Sequence, residues 1–322
     1  MKRIGVLGAG SHSSTNHGPA LREYARQHPG QIELAAVCDL DEGRARAYAR
    51  QFGFAEVYTD LGRMVDGARL DGLVAVTPME RTEELATRVL ELGLPLVVEK
   101  PPGVGLAGAV ALAAAARHTQ TPHMVSFNRR FSPALTRARQ WMAARGATPQ
   151  MIVSRMLRCR RTEPFFVRDT GIHAIDAVLS LTGPAQEVAT TVRLLARSEA
   201  RLHEARLAAA GGLVATFLFA PDAGLKEETV ELVGEGFRVW VDFGRSAVTV
   251  HEGDAVALEW RATPGTEEHE LSGSYDETAA FVAALAGRGP WSPTLEDALA
   301  SMAVAAAIDS GGRSAFGREA TR

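Results

Sequence analysis

Short apolar runs alternate with longer amphipathic stretches through the first part of the chain. The runs cover residues 4–7, 32–38, 72–76, 95–98 and 123–127, and each is long enough for one buried strand. Strands that are separated by helix-length stretches are typical of βαβ units. The pattern therefore predicts an α/β domain over residues 1–126, built on a doubly wound parallel sheet.

The alternation changes character after residue 127. Residues 150–160 alternate like a strand, residues 169–182 have a helical pattern, and several strand-like segments follow between residues 186 and 260. Gly-containing turns between those segments favour antiparallel neighbours. We therefore predict a second domain over residues 127–322, an α+β unit with a large, open and mainly antiparallel sheet, whose terminal helices pack within it or back on the first domain.

An open antiparallel sheet must cover at least one of its faces. Helices of the same chain would cover one face, and a second subunit would cover the other. The pattern thus favours a homodimer or a homotetramer.

Composition excludes two classes of partner. The formal net charge is -3 and the chain has no dense block of Lys and Arg, which argues against nucleic acid. The longest apolar stretch, residues 104–116, is shorter than the roughly 20 residues that cross a bilayer, which argues against a membrane protein. Two widely separated cysteines and an immediate first strand, without room for a signal peptide, predict a cytoplasmic protein with reduced thiols.

A glycine-rich segment, "GAGSHSS", follows the first predicted strand directly. Gly8 and Gly10 stand where a phosphate loop needs residues without a Cβ, and Ser11 and His12 open the following helix. Ser13 replaces the usual third glycine. The strand before and the helix after predict a dinucleotide site in a Rossmann domain.

Asp39 ends the second predicted strand. A carboxylate at this place accepts hydrogen bonds from the adenosine ribose and repels a 2′-phosphate, so it predicts NAD rather than NADP as the cofactor. The alternative is a polar residue that only ends the strand in a turn.

Two further strands end in polar residues at the carboxyl edge of the predicted sheet, where such sheets bind ligands. Thr77 and Pro78 either line the cofactor or only cap the next helix. Glu99 and Lys100 either project into the cofactor cleft, with the lysine stabilising charge on a substrate oxygen, or form an exposed pair before a turn.

A candidate acid–base group lies in the second domain. Asp169, His173 and Asp176 fall on one stripe if residues 169–182 are a regular helix. A carboxylate one turn from a histidine orients the ring for proton transfer. Alternatively, Asp169 is a helix cap and His173 a core residue. The spacing also suggests a metal, but no third His/Cys cluster supports one, so no metal is predicted.

Five arginines precede this helix, at positions 155, 158, 160, 161 and 168. If the strand over residues 150–160 is regular, Arg158 and Arg160 share one face and can bind a carboxylate or phosphate. This pattern predicts an anionic substrate, such as a sugar acid. Solvated arginines or interface salt bridges are the alternative.

Together, the motifs "GAG", "HGPAL", "CDLD", "VTP", "EKPPG", "FNRRFSPAL" and "DTGIHAID" occur in the order found in a known family. The chain resembles the glucose-fructose oxidoreductase / inositol dehydrogenase / rhizopine catabolism (Gfo/Idh/MocA) oxidoreductases over nearly its whole length. The resemblance implies hydride transfer between a sugar, cyclitol or sugar-acid hydroxyl carbon and nicotinamide. It also implies catalytic roles for Lys100, His173 and Asp169, and a substrate-side role for Asn128, Arg129, Arg130 and Asp176.

The chain departs from the family pattern at three places. These are Ser13, a loop one residue longer before His17, and Thr82 where a histidine is common. Two other functions stay open from the sequence. One is an enzyme that keeps NAD bound and uses transient oxidation for cleavage or rearrangement, and the other is a non-catalytic dinucleotide sensor.

Overall fold

A computed structural model describes residues 1–161, 163–196 and 200–316 as two compact units. The first unit combines Met1–Ser126 with Glu267–Leu299. The second combines Phe127–Thr266 with the described residues from Ala300 onward. The segment after Thr266 therefore returns to the first unit before the chain ends in the second.

The first unit contains a six-stranded parallel sheet. Its strands are β1 (Lys2–Leu7), β2 (Ile32–Cys38), β3 (Glu56–Tyr58), β4 (Gly72–Ala75), β5 (Leu96–Glu99) and β6 (His123–Ser126). The spatial order β3-β2-β1-β4-β5-β6 is doubly wound around β1, which confirms the predicted α/β fold. The sequence pattern missed β3, because this strand has only three residues and none of them is fully buried.

Seven helices belong to this unit: α1 (Gly18–Gln27), α2 (Glu42–Phe52), α3 (Leu61–Ala68), α4 (Met79–Glu91), α5 (Leu106–Thr119), α8 (Glu268–Leu271) and α9 (Ser274–Leu285). Local sequence explains several of their ends. The side chains of Asp41 and Asp60 accept the backbone N–H groups of Arg44 and Arg63, which caps α2 and α3. Gly53 ends α2 in the left-handed conformation.

A wide turn lies between β1 and α1. Ser13–His17 forms one π turn before the regular α-helix begins at Gly18. A π turn holds one more residue than an α turn. The turn before α1 thus accommodates one more residue within the helix than a regular α turn would.

The second unit contains a nine-stranded sheet. Its strands are β7 (Met151–Leu157), β8 (Ala185–Leu194), β9 (Arg201–Ala209), β10 (Val214–Ala220), β11 (Glu227–Gly234), β12 (Phe237–Asp242), β13 (Ala247–Glu252), β14 (Ala255–Arg261) and β15 (Gly312–Ala315). Their order is β14-β13-β12-β11-β7-β10-β9-β8-β15, and only the central pair β7 and β10 is parallel. The predicted mainly antiparallel α+β domain is confirmed.

One face of this sheet carries the core of the second unit. Helices α6 (Pro133–Arg145), α7 (Ile172–Thr182) and the later turns of α10 (Leu295–Ser310) contribute to the same apolar cluster as the buried side chains of the strands. Along β7, buried Ile152, Ser154 and Met156 alternate with residues that are partly or fully exposed. This period of two explains why the sequence pattern identified the strand.

Within the described residues, no helix has both the length and the apolar character needed to cross a membrane.

A half-buried carboxylate, Asp309, lies near the end of α10. Burial raises the pKa of Asp309 to about 6, and the charge of Asp169 adds to this rise while Arg168 and Arg201 oppose it. The side chain of His203, which is almost fully buried on β9, has its Nε2 atom 3.9 Å from Asp309 Oδ1. The folded state therefore holds a proton on Asp309 at pH values where the unfolded chain has released it.

We expect Asp309→Asn to stabilise the protein at pH 8 by about 1–3 kcal/mol. The raised pKa lowers stability above pH 6, and this cost disappears as the pH falls towards 4. The gain of the variant over wild type should shrink in the same direction. Urea unfolding at a series of pH values measures the difference.

Asp254→Asn, at an exposed carboxylate in the β13–β14 turn, is the matched control and should show no such trend. A lower stability of Asp309→Asn at pH 8 would mean that Asp309 is held by a favourable ion pair instead.

Candidate active site

A cleft opens at the carboxyl edge of the parallel sheet, where β1, β4 and β5 end side by side. Its volume is about 320 Å³. The lining residues are Gly10, Ser11, His12, Ser13, Val76, Thr77, Pro78, Glu99 and Lys100. The structure thus brings together seven of the nine residues that the sequence predicted for the cofactor. Of the other two, Gly8 begins the same glycine-rich loop, and Asp39 follows β2 and accepts the N–H of Ala9 in that loop.

The two glycines of the loop have different roles. Gly8 has a φ of +98°, and a Cβ there would lie 2.0 Å from the carbonyl oxygen of Val76, so the close approach of β1 and β4 requires glycine. A Cβ on Gly10 would meet nothing within 4 Å, and Gly10 lines the cleft. Gly8 is therefore needed by the fold, while Gly10 keeps open the space beside the helix N-terminus.

Asp39 organises the same loop from the end of β2. Its Oδ2 atom accepts the backbone N–H of Ala9 at 2.8 Å, and its Oδ1 atom accepts the N–H of Asp41 at 2.9 Å. The guanidinium of Arg44 lies 2.7 Å from Oδ1. Burial raises the pKa of Asp39, but the hydrogen bonds from Arg44 and the two backbone groups outweigh it and hold the pKa below its ordinary value. Asp39 is an ionised residue that also shapes the turn.

Ser13, which replaces the third glycine, is fully buried. Its hydroxyl donates to the Tyr48 hydroxyl on α2 at 2.9 Å. A small polar residue thus fits where a glycine usually lets helix and strand pack closely, because its one polar group has a partner.

Thr82 has a position that the sequence left without a role. It is buried on α4, and its hydroxyl lies 3.1 Å from the hydroxyl of Thr77 and 3.2 Å from the carbonyl oxygen of Pro78. Thr82 therefore fixes the side chain of Thr77 at the wall of the cleft. Pro78 is the N-cap residue of α4, and both Thr77 and Pro78 also line the cleft.

Glu99 connects three segments around the cleft. Its Oε1 atom lies 2.6 Å from His17 Nε2 and 3.1 Å from His12 Nε2, and its Oε2 atom accepts the backbone N–H of Lys100 at 3.0 Å. Burial raises the pKa of Glu99, but hydrogen bonds and charges of the two imidazole rings hold it well below its ordinary value. The carboxylate is thus a fixed acceptor behind the lysine, rather than half of an exposed pair.

Sequence reasoning missed His17 as a functional residue, although the "HGPAL" motif contains it. The signal was its position one helical turn beyond the glycine-rich loop. Its buried ring has a direct partner only because β5 delivers Glu99 to the same edge of the sheet.

These residues fit a dinucleotide. The loop offers a residue without Cβ at Gly10, a helix N-terminus and an ionised carboxylate at the end of β2, which are the groups that bind pyrophosphate and ribose.

The second unit holds a buried cluster of charges. Arg129 donates to both carboxylate oxygens of Glu228, at 2.6 and 3.1 Å, and Arg158 donates to Glu228 Oε2 at 2.7 Å. Burial raises the pKa of Glu228, but the two arginines, with a smaller effect of the His173 ring, hold it far below its ordinary value. One buried carboxylate thus binds two guanidinium groups in this cluster.

The expectation that Arg158 and Arg160 share one face is wrong. Strand β7 ends at Leu157, and Arg160 has a φ of +55°, which breaks the alternation. Arg158 is buried against Glu228 and backbone carbonyls, whereas Arg160 is exposed and bound through its N–H to Asp222. Beyond the strand end, the N–H of Arg158 donates to the carbonyl of Ala220 at the end of β10, and the carbonyl of Arg158 accepts the N–H of Ala223.

The other arginines of this run also have partners within the unit. Arg155 pairs with Glu231, Arg161 with Glu163, and Arg168 with Asp169 at 2.7 Å.

Asp176 and Arg130 bind each other. Arg130 donates to both oxygens of Asp176 at 2.7 Å, and Asp176 is 0 % exposed and also accepts the hydroxyl of Ser301. Asn128 is buried in the 3₁₀ turn that also carries Arg130. The predicted substrate contacts of Asp176 and Arg130 thus concern two groups that already stabilise the unit.

The predicted helical stripe is interrupted. Val167–Gly171 forms a π turn and α7 starts at Ile172, so Asp169 and His173 are not separated by one regular α turn. A π turn often accompanies a functional site. The structure places Asp169 beside Arg168 and His173 in the first turn of α7.

Comparison with known proteins identifies relatives of both units. The family model described as "Oxidoreductase family, NAD-binding Rossmann fold" (Gfo/Idh/MocA) matches residues 2–127. D-apiose dehydrogenase of Paraburkholderia graminis is 28% identical over 231 residues, which are 68% of this chain and 57% of that protein. Inositol 2-dehydrogenase 1 of Saccharopolyspora erythraea is 28% identical over 95% of this chain and 92% of its own length.

The fold also has solved neighbours. The crystal structure of a dehydrogenase from Chromobacterium violaceum has a TM-score of 0.85 at 22% identity, with 96% of this chain and 94% of that chain covered. This likeness shows that both units have a known fold.

Residues 2–127 thus match the NAD-binding Rossmann fold of the oxidoreductase family, and the chain as a whole is similar to an inositol 2-dehydrogenase.

Proposed function

We propose that the protein is an NAD(P)-dependent dehydrogenase that acts on a CH–OH group of a sugar, cyclitol or sugar acid. The observation that carries this proposal is the cleft at the carboxyl edge of the parallel sheet, with Gly10, Thr77, Glu99 and Lys100 in its wall. The apiose and inositol dehydrogenases among the relatives support the substrate class.

In the proposed reaction, the alcohol loses a hydride from carbon and a proton from oxygen, and a carbonyl group forms. The bound nicotinamide supplies the hydride acceptor at its C4 atom. Lys100 stabilises the substrate oxygen as it gains carbonyl character, and His173 takes the hydroxyl proton. Asp169 keeps the acid–base pair in place, as the family resemblance implies, and Arg168 is bound to it.

Lys100 is well placed in its own loop for this role. Its backbone N–H is held by Glu99, so the residue leaves β5 in a fixed direction at the rim of the cleft.

We further propose that the substrate is an acidic sugar derivative. The support is the pair of guanidinium groups, Arg129 and Arg158, that Glu228 holds together, and the electrostatic interaction between Glu228 and the His173 ring. Arg160 is exposed and lies outside this cluster, so it gives no support to the proposal of an acidic substrate.

The decisive experiment follows nicotinamide absorbance during incubation with NAD or NADP and neutral sugars, cyclitols or uronic acids. We expect steady reduction with at least one member and a preference for acids.

His173→Asn should lower kcat by about 10²–10⁴-fold while NADH binding persists. Gly10→Ala should have the opposite effect: its new methyl group occupies space in the cleft, so NADH binding should weaken more than kcat falls.

Gly8→Ala is the matched control for the loop and should lose folded protein, since its Cβ meets the Val76 carbonyl. Full turnover by His173→Asn would refute the acid–base role. NADH that stays bound through purification without turnover would favour the enzyme with permanently bound cofactor, and unchanged cofactor binding without any chemistry would favour a sensor.

We propose NAD as the preferred cofactor, because the Asp39 carboxylate is ionised at the end of β2. Arg44 offsets this charge from an exposed position. We therefore expect Asp39→Ser to shift the NAD/NADP ratio of dissociation constants towards NADP by about tenfold or more, or 1.4 kcal/mol. Arg44→Ala should shift the ratio towards NAD.

Arg46→Ala is the control on the same helix, because Arg46 pairs with Glu42 and not with Asp39. Fluorescence titration of both dinucleotides measures the ratios. The proposal fails if Asp39→Ser and wild type discriminate equally.

We also propose a homodimer or homotetramer that forms through the face of the nine-stranded sheet opposite its helices. Val153 and Trp240 are only half-buried there, and Met151 is exposed. Val153→Arg should therefore lower the mass seen by light scattering, while Val256→Arg, at a position 55% exposed on β14, should not. A monomeric wild type would contradict this assembly.

The cytoplasmic location stays a prediction that rests on the unpaired Cys38 and Cys159.

A further inference from the structure

Three potential metal ligands converge in the wall of the cleft. They are the Nε2 atoms of His12 and His17 and the Oε1 atom of Glu99, and all three lie within 4.8 Å of one another. The two imidazole nitrogens point at the same carboxylate oxygen, from 3.1 and 2.6 Å. This convergence exceeds what one buried carboxylate needs, because a single imidazole N–H and the Lys100 N–H would already satisfy both of its oxygens.

We propose that His12, His17 and Glu99 form a site for a divalent transition metal ion of the Zn²⁺ type, and that occupation of this site excludes the dinucleotide. The second part rests on the proposed function, whereas the first part does not.

The donor set matches the chemistry of this ion class. Two imidazoles and one carboxylate are a known three-ligand set for zinc, and imidazole favours transition metals over Mg²⁺ or Ca²⁺. Metal–ligand bonds of about 2.0–2.2 Å in a tetrahedral site place the ligand atoms roughly 3.3 Å apart. The present separations of 2.6 and 3.1 Å need to open by less than about 1 Å for the ion to enter.

The surroundings orient each ligand. Glu99 is held through its second oxygen by the Lys100 N–H, and His17 is buried in the π turn, so two of the three ligands are fixed. His12 is 51% exposed at its side chain and lines the cleft, which gives the ion a path of entry. The third ligand can therefore adjust its position when the ion binds.

Asn16 can support the metal-bound form of His12. Its amide nitrogen lies 3.4 Å from His12 Nδ1. When Nε2 binds a metal, the ring carries its proton on Nδ1, and rotation of the Asn16 amide presents an oxygen to that proton. Such an outer hydrogen bond is usual for metal-bound histidine.

The position of the site explains why metal and cofactor compete. His12 and Glu99 lie in the same wall of the cleft as Gly10 and Lys100. A metal ion bound by His12 and Glu99 would place itself and its fourth ligand in the space of the cleft. Metal binding also removes the hydrogen bonds from the imidazoles of His12 and His17 to Glu99, because the metal needs deprotonated imidazole nitrogens.

The test is calorimetric titration of the untagged, dinucleotide-free protein with ZnCl₂ at neutral pH. We expect one ion to bind per chain, and His12→Ala and His12→Asn each to weaken the binding at least tenfold. His118→Ala, at an exposed histidine on α5, is the matched control and should bind like wild type. All variants carry Cys159→Ser, because this exposed thiol is a second potential zinc ligand.

A Co²⁺ titration gives an independent measure, because tetrahedral coordination of this ion has a distinct visible absorption that His12→Ala should abolish. The site is refuted if zinc does not saturate the protein, or if both His12 variants bind zinc as tightly as wild type. His12 is half-exposed, so its variants are expected to fold, and thermal unfolding in the absence of metal checks this.

Competition is measured in a second titration, of NADH in the presence and absence of ZnCl₂. We expect zinc to raise the apparent dissociation constant for NADH at least tenfold in the wild type and not in His12→Ala. An unchanged constant in the wild type refutes the exclusion. If the protein binds zinc but no NADH at all, the proposed function fails while the metal site stands.

Discussion

The buried carboxylate of Glu99 is the interaction on which the cleft of the first unit depends. An ionised group with so little water contact is stable only when both of its oxygens have partners. His12 and His17 supply them from the glycine-rich loop and its π turn, and the Lys100 N–H supplies one from the end of β5. The phosphate loop and the lysine are thus held at fixed positions by one group. The same convergence of imidazoles on a carboxylate gives the cleft a set of ligands for a metal ion.

The buried carboxylates of the second unit also have partners on their oxygens, but these partners are arginines rather than histidines. Glu228 is neutralised by Arg129 and Arg158, and Asp176 by Arg130, each through short charge-assisted hydrogen bonds. These pairs occupy polar residues that the sequence suggested for the substrate. Glu228 also interacts electrostatically with the His173 ring, and the two guanidinium groups that it holds are the basis for proposing an acidic substrate.

Sequence patterns predicted elements better than they predicted partners. Strands such as β2 and β7 were found because buried strands have strong apolar or alternating patterns, whereas β3 was missed because three half-buried residues give no period. The prediction that Asp169, His173 and Asp176 lie on one helical face assumed a regular α-helix, but a π turn precedes Ile172 and alters the angular spacing of Asp169. The face assigned to Arg158 and Arg160 failed for a similar reason, since one residue with a positive φ ended the alternation.

By itself, the sequence determined the two classes of sheet, the glycine-rich loop after β1 and the polar residues that follow β4 and β5, because these depend on local periodicity and on residue type. Only the tertiary structure decided which polar groups satisfy one another. The pairs Glu99 with His17, Glu228 with Arg129 and Asp176 with Arg130 join residues that are far apart in the sequence, and their choice follows from the order and packing of the elements. A buried charge accepts whichever partner the fold brings within hydrogen-bond distance, and no local pattern contains that information.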